Sequence, residues 1–386
     1  MATWTATLTH NATNLSANTE YRVSMFNGRR TTSDQMRGQT MTVSLFWGDG
    51  SLDPNNFQVN DTVSLTVTPT GQTAATFTVL VTDVRVDRNL ITLTGINRNY
   101  SRLGRTTLNL PAYDNQVTGA VLNAALTAAQ TAGIIDSAWS SAVTKGTAYV
   151  STTAGNYNLL AFLQSVANSE PLGMLTGNPT TQPLFLDYND FRNTAPNFLN
   201  NYFDYSAING WAYEWELNRS AADFVNTAVV NYTGGTATFA DTASAASVGV
   251  YQQNVSTVLA SATDANYLAR RLVAFGTDPG YRVNELRFDL AALTDLQLRN
   301  QLLNGRPGRR LSTPTVFPGG PTEWVIQGLA DSIEYSAGAK NWYRTFYVID
   351  RAYWDAAQRW QDVTSGVQWN TVNPAYTWVD LERNDI

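Results

Sequence analysis

The clearest structural signal in the chain lies in Arg37-Gly38-Gln39-Thr40-Met41-Thr42-Val43-Ser44-Leu45-Phe46-Trp47-Gly48-Asp49-Gly50-Ser51-Leu52-Asp53-Pro54. From Thr40 to Leu45 hydroxylic and apolar residues alternate, and this period of two is typical of a half-buried β-strand. Two turn signals follow, Asp49-Gly50 and Asp53-Pro54, and a second alternating run covers residues 63–67. The pattern predicts a β-hairpin that opens a small barrel or sandwich.

The rest of residues 1–110 is also predicted to be β, because short alternating runs recur there at regular spacing. Helical signals begin later. Apolar residues recur at helical intervals from Val117 to Ala129, with Asp114 as the predicted N-cap and Gly133 at the C-terminal end. A second helix is predicted from Tyr157 to Asn168, and a third starts at the capping-box sequence Ser261-Ala262-Thr263-Asp264.

Length and composition restrict the classes of protein that need to be considered. A chain of 386 residues exceeds one ordinary core, so two to four structural units are expected. The net charge is −6, and basic runs such as Arg29-Arg30 are no longer than two residues, which argues against direct binding of nucleic acid. Without cysteine there can be no disulfide or thiolate chemistry. The N-terminal residues lack the pattern of a secretory signal, and no apolar segment approaches the ~20 residues of a membrane anchor.

Candidate catalytic and metal-binding residues are few. A catalytic triad or histidine metal site would depend on His10, the single histidine, which we predict to be an ordinary surface residue. Nucleotide-binding and zinc-protease motifs are absent. Asp49, Asp53 and Asp61 could gather around a calcium ion, but the D-G-S-L-D stretch from Asp49 to Asp53 lacks the EF-hand spacing and its turn role is sufficient. We therefore predict no catalytic residue, no metal and no cofactor.

One pair of carboxylates remains as an alternative. Glu214 and Glu216 flank Trp215 on a predicted strand, which places both carboxylates on one face about 7 Å apart. Together with Trp211 they could form a sugar-binding groove, since a glycosidase needs two carboxylates. This hypothesis describes a carbohydrate-binding or cell-wall-degrading module. Charged residues on the exposed face of a strand, or on the wall of a tube, would give the same pattern.

The motif around residue 40 resembles the N-terminal barrel of the tail-hub proteins of long-tailed bacteriophages. The shared features are the Arg-Gly entry, the alternating strand, the D-G-x-x-D-P corner and the return strand. The stretch Ala167-Asn168-Ser169-Glu170 also matches the A-x-S-E form that follows a helix in many members. Hub proteins contain two related barrels, and a weak internal repeat agrees with this. It pairs Asp83 with Asp331 and residues 96–98 with residues 349–351.

The resemblance implies a mainly β fold with α+β insertions, in which two related small β-barrel hub domains accompany two smaller α/β or helical domains. The expected boundaries are 1–110 for the first hub barrel, 111–205 for an α+β domain, 206–238 with 305–355 for the second barrel, 239–304 for an inserted mixed helical domain and 356–386 for a Trp-rich C-terminal arm. The arm contains Trp354, Trp360, Trp369 and Trp378, candidate interface residues that could equally pack on their own barrel.

The function implied by the resemblance is structural. A homotrimer would form the baseplate hub, or minor tail protein, at the tip of a phage tail, and would adapt the six-fold tail tube to three-fold tip proteins. Its partners would be the distal tail or tail-tube protein, the tape measure protein and the tail-tip or receptor-binding proteins. DNA would pass through the lumen without specific binding. The protein would have no enzymatic activity and no membrane anchor, and it would be assembled in the host cytoplasm into the virion.

Overall fold

The structure is a computed structural model of the chain, and it describes most of residues 4–350. The described residues are 4–16, 20–30, 37–46, 52–69, 74–136, 146, 148–170, 173–177, 183–186, 202–204, 213–218, 224–276, 282–293, 302–303, 305–312, 323–335 and 340–350.

Strands dominate these residues. They are β1 (Trp4–His10), β2 (Thr13–Asn14), β3 (Glu20–Gly28), β4 (Arg37–Phe46), β5 (Thr62–Pro69), β6 (Ala75–Asp87), β7 (Leu90–Ile96), β8 (Thr107–Leu110), β9 (Tyr113–Val117), β10 (Tyr149–Thr152), β11 (Gly155–Asn158), β12 (Met174–Gly177), β13 (Pro183–Leu186), β14 (Tyr202–Asp204), β15 (Tyr213–Asn218), β16 (Thr227–Tyr232), β17 (Gly235–Ala240), β18 (Gln252–Ser256), β19 (Arg282–Asp289), β20 (Arg310–Ser312), β21 (Glu323–Tyr335) and β22 (Lys340–Asp350). The helices are α1 (Arg98–Arg105), α2 (Thr118–Thr131), α3 (Leu159–Ala167), α4 (Thr242–Val248) and α5 (Ala262–Gly276).

Thirteen of the strands form one large sheet. Its main path runs β15-β19-β22-β21-β3-β4-β7-β6-β5-β1-β2, and β14 and β20 attach beside β21. The main path includes strands from both predicted barrels, so these strands belong to one continuous sheet. Within the described residues this sheet does not close on itself. The mainly β fold class is confirmed. The closure of two separate barrels, like the domain boundaries, stays a prediction.

The strand around residue 40 forms as predicted, but its predicted partner is wrong. In β4, Met41, Val43 and Leu45 are buried while their neighbours are partly exposed, which is the expected alternation. However, β4 pairs with β3 on one edge and with β7 on the other, so no edge is left for β5. The Asp53-Pro54 corner is a short 3-10 turn, and Asp53 caps it by accepting a hydrogen bond from the Asn55 amide.

A single hydrophobic core covers the large sheet. It contains residues from β1 and β3 to β7 and also from β19 to β22. Aromatic rings link the two halves. The ring centres of Trp4 and Trp342 lie 5.3 Å apart, and Tyr21 stacks on Tyr335 with ring centres 5.2 Å apart. Burial raises the pKa of Tyr21 to about 12, and its hydroxyl donates a hydrogen bond to the Ala6 carbonyl. Because apolar contact is the main source of folding free energy, the two halves stabilise one another.

The first helical region has a separate core formed by α1, α2, α3 and the short strands around them. Helix α2 ends as predicted: Gly133 has a φ of +68°, its amide bonds to the Gln130 carbonyl and the Ile134 amide bonds to the Ala129 carbonyl, which together form a Schellman motif. The predicted N-cap is wrong. Asp114 lies in β9, where it accepts a hydrogen bond from Ser151, and α2 begins four residues later without a side-chain cap.

The second helical region contains α4, α5 and a three-stranded sheet. Its strand β16, which we assigned to the second barrel, pairs with β17 and β18, whereas β19, which we assigned to the inserted domain, joins the large sheet. Helix α5 packs on the small sheet. At its start Ser261 accepts the Asp264 amide proton at 3.1 Å, but its hydroxyl donates to the Asp264 carboxylate, so half of the predicted capping box is observed.

Candidate functional site

The large sheet contains two sets of six strands with the same order. In the first set the strands lie in the order β1-β5-β6-β7-β4-β3, and in the second in the order β14-β20-β21-β22-β19-β15. When the strands of each set are numbered along the chain, both orders read first, fourth, fifth, sixth, third, second. The sets differ at one pairing, since β1 and β5 are antiparallel whereas β14 and β20 are parallel. The internal repeat is therefore a repeat of topology.

Bulges fix the alignment of the two sets. The β6–β7 ladder shifts register between Val81 and Asp83, and the β21–β22 ladder shifts between Ile326 and Gly328. When the two bulges are superposed, Ile96 on β7 and Ile349 on β22 occupy the same position. This agrees with the repeat seen in the sequence. The pairing of Asp83 with Asp331 was wrong, because the bulges align Asp83 with Gly328.

The two sets meet where β3 pairs with β21. This antiparallel junction extends from Gly28 opposite Gly328 to Tyr21 opposite Tyr335. At its glycine end, the Arg29 amide donates to the Gln327 carbonyl at 3.2 Å, and Arg29 Nε donates to Gln327 Oε1 at 3.0 Å. Side chains cannot be accommodated between the two backbones here, since a Cβ on Gly28 would lie 2.5 Å from the Gln327 carbonyl oxygen.

A buried ion pair supports β21 next to this junction. Asp331 and Arg344 are each 1% exposed, and Arg344 Nη2 donates to Asp331 Oδ2 at 2.7 Å while its Nε donates to Oδ1 at 2.8 Å. Trp342 Nε1 also donates to Asp331, and Arg344 Nη1 donates to the carbonyls of Leu302 and Leu303. The charges are thus paired and hydrogen bonded, as burial requires.

The outer end of the junction carries an exposed ion pair. Arg22 on β3 donates through Nη2 to Glu334 Oε1 on β21 at 2.6 Å. This hydrogen bond from Arg22 lowers the pKa of Glu334. Because both side chains are more than a third exposed, we expect the pair to add little to stability.

Among the strand edges that are open in the described part of the chain, one belongs to β15 and one to β6. Strand β15 pairs with β19 on one side and has no partner on the other. Strand β6 pairs with β7 as far as Asp87, but β5 covers its other edge only from Ala75 to Leu80. The open part of β6 therefore extends from Asp83 to Asp87, where Val86 is 49% exposed.

Most of the predicted aromatic interface and sugar-binding residues lie outside the described residues, and three lie on a described strand. Trp354, Trp360, Trp369 and Trp378 lie outside the described residues, as does Trp211. The stretch Glu214-Trp215-Glu216 lies on β15, the outermost strand of the main path. Both hypotheses, the interface arm and the sugar groove, therefore stay predictions. Among the described residues there is no group of three or more histidine, cysteine, aspartate or glutamate side chains that could hold a metal.

The single histidine is not a surface residue, which corrects our prediction. His10 is 8% exposed, and its Nε2 lies 2.7 Å from Asp61 Oδ2. Asp61 also accepts hydrogen bonds from the Asn11 side chain at 2.8 Å and from the Gln58 amide at 2.6 Å. Burial would raise the pKa of Asp61, but these hydrogen bonds and His10 outweigh it and lower the pKa. Asp53 has the predicted turn role, and Asp49 lies outside the described residues.

This network predicts a pH-dependent contribution to stability. A lowered folded-state pKa means that the Asp61 contribution is fully present above pH 3.8, its usual value, and is lost as the pH falls through the folded pKa. We expect Asp61→Asn to lower Tm at pH 7 by roughly 2–4 °C, corresponding to about 1 kcal/mol, and to have a smaller effect near pH 3. Thermal scans at both pH values test this, with the exposed Glu20→Gln as control; an equal Tm difference at both pH values would contradict it.

Comparison with known proteins shows similarity of fold to solved structures. No protein-family model matches the chain, and no curated protein matches it in sequence. Two solved structures match it over nearly their whole length. The 43 kDa tail protein of prophage MuSo2 from Shewanella oneidensis superposes with a TM-score of 0.57 at 10% identity, covering 91% of this chain and 99% of the other. The tail protein from Neisseria meningitidis MC58 gives the same TM-score and identity, covering 92% and 99%.

No helix in the described ranges has the length and apolar character needed to span a membrane. The two structural matches each cover more than nine-tenths of the present chain. The chain therefore has the fold of phage tail proteins, and the resemblance predicted from the sequence is confirmed at the level of the fold.

Proposed function

We propose that the protein is a structural component of a phage tail and that three copies form the hub at the tail tip. The observation that carries this proposal is the pair of six-strand sets with one order. Three copies would present six similar units, enough to match a six-fold tube above them, while the ring as a whole keeps three-fold symmetry below. In this proposal each set corresponds to one hub barrel, and the chain carries no catalytic function.

The junction inside the chain supports a specific way of closing the ring. On the edge opposite β22, strand β21 is covered by β20 at Glu323–Val325 and by β3 from Gly328 onward. On the corresponding edge of its counterpart β6, opposite β7, the only partner among the described residues is β5. The strand missing beside Asp83–Asp87 would correspond to β3, and the counterpart of β3 in the second set is β15. We infer that β15 of one copy pairs with β6 of the next. This contact is head-to-tail, so it can be repeated until the ring closes.

The remaining roles follow from the position of such a ring in a tail. The ring would contact the distal tail or tail-tube protein on one side and tail-tip or receptor-binding proteins on the other. Its lumen would hold the tape measure protein and later conduct DNA. The net charge of −6 supports conduction without retention, because like charges do not hold phosphates. In this proposal the protein is located in the virion.

Mass in solution tests the ring. Light scattering is expected to give three times 42.4 kDa, or reversible association toward that mass as the concentration rises. The absence of cysteine allows the contact to be tested directly. We expect the double variant Arg85→Cys with Asn218→Cys to form covalent oligomers up to a trimer under mild oxidation, because the two positions lie on the edges proposed to pair.

Each single cysteine variant is the control, since it allows a disulfide only between identical positions and therefore cannot extend beyond a dimer. If the cross-linked products of the double variant stopped at the dimer, the head-to-tail contact would be contradicted. A strict monomer that is not cross-linked at any concentration would contradict ring formation by the protein alone. The hub proposal would then have to be tested with the tube protein present.

A further inference from the structure

Three arginines line one cavity at the glycine end of the junction. The cavity has a volume of about 410 Å³ and lies where β3 ends and β4 begins. Arg29 and Arg30 follow β3, Arg37 opens β4, and the hydroxyl residues Ser24, Thr40 and Thr42 complete the polar wall. The sequence showed Arg29-Arg30 only as a short basic run, because the approach of Arg37 depends on the pairing of β3 with β4.

The arginines are held at different depths. Arg29 is 6% exposed and is fixed by its hydrogen bond to Gln327 Oε1. Arg30 is exposed, and its guanidinium lies 5.5 Å from the centre of the Phe26 ring and 5.7 Å from that of Tyr347. Neither Arg30 nor Arg37 lies within 4.0 Å of a carboxylate oxygen of the described residues. The cavity therefore concentrates positive charge on a chain whose net charge is negative.

From this geometry we infer that the cavity is a binding site for an acidic peptide segment of another protein of the particle. Guanidinium groups form forked hydrogen bonds with carboxylates, and the volume exceeds that of a single small ion. Duplex DNA fits less well. Its phosphates lie on a rigid rod and need a continuous basic surface, whereas here three arginines line one cavity and one of them, Arg29, is buried.

A synthetic fluorescent peptide with alternating glutamate and glycine provides the probe. Its affinity for the full-length protein is measured by fluorescence anisotropy at low salt. The double variant Arg30→Gln with Arg37→Gln is expected to bind it at least about ten-fold more weakly, since a charge-assisted hydrogen bond is worth more than the 1.4 kcal/mol of one ten-fold step. Both side chains are exposed, so this variant should keep the unfolding midpoint of the wild type.

The matched control is Arg105→Gln with Arg270→Gln, which removes the same charge from exposed helical positions. It should leave the affinity within about two-fold of the wild type if the site is local, because exposed charges far from the ligand are screened. Equal weakening by both double variants would overturn the proposal, as would failure of the wild type to bind the peptide at millimolar concentration. Displacement of the peptide by duplex DNA at lower concentration than by unlabelled peptide would also overturn it.

Discussion

Replacing Asp331 with alanine is expected to lower the free energy of unfolding by about 3–5 kcal/mol, the usual cost of removing one partner of a buried ion pair. The substitution leaves the Arg344 guanidinium 1% exposed without its carboxylate and removes the acceptor of Trp342 Nε1. The backbone carbonyls of Leu302 and Leu303 remain as acceptors, but they carry no formal charge that could compensate the arginine. Unfolding by guanidinium chloride, monitored by tryptophan fluorescence, measures the change in the free energy of unfolding.

The same strand provides a matched control. Glu334 also pairs with an arginine, but its side chain is 37% exposed and that of Arg22 is 60% exposed. We expect Glu334→Ala to change the stability by less than about 1 kcal/mol, because exposed ion pairs contribute little. If the two alanine variants were equally stable, the Asp331–Arg344 pair could not be a buried support of the junction.

The second large effect is expected for Gly28→Ala, which we predict to lower the stability by about 2–4 kcal/mol. Gly28 has a φ of +103°, and a Cβ there would lie 2.5 Å from the Gln327 carbonyl oxygen and 2.6 Å from Gly328 Cα. Both of these atoms belong to the backbone, so no side chain can rotate away. The β3–β21 pairing would have to open, and if the sets are ring units, the variant should also fail to form trimers in light scattering.

A second glycine separates the two causes of this loss. Gly133 also has a positive φ, +68°, but a Cβ there would meet no atom within 4 Å. Gly133→Ala therefore reports the conformational cost alone, which we expect to be about 1 kcal/mol. The difference between the two variants measures the steric contact at the junction. Equal losses would mean that β3 and β21 are not closely packed there.

Local features of the fold could be predicted from the sequence. The alternation in β4, the Schellman motif after α2 and the hydroxyl cap of α5 depend on residues within a few positions of one another. The partners of the strands could not be predicted in the same way. Alternation shows that residues 40–45 and 63–67 are strands, but it does not show that β3 and β7 occupy both edges of β4.

The internal repeat illustrates the same limit. Matching short sequences located Ile96 and Ile349 correctly, yet displaced Asp83 from its true counterpart Gly328, because insertions in a hairpin cannot be positioned without its register. The candidate site was missed for a related reason. Arg37 approaches Arg29 and Arg30 through the pairing of β3 with β4. Asp331 meets Arg344 through the pairing of β21 with β22, and Gly28 meets Gly328 through the pairing of β3 with β21. No local pattern could have identified it.

The β3–β21 junction also has a consequence for synthesis of the protein. Strand β3 ends at residue 28, but the strand that covers its edge is complete only at residue 335. At bacterial translation rates of about 5–20 residues per second, the edge of β3 waits roughly 15–60 s on the ribosome for its partner. A finished copy offers no free β21 edge, because its own β3 already covers it. Exchange of strands between copies is therefore confined to chains that are both still incomplete.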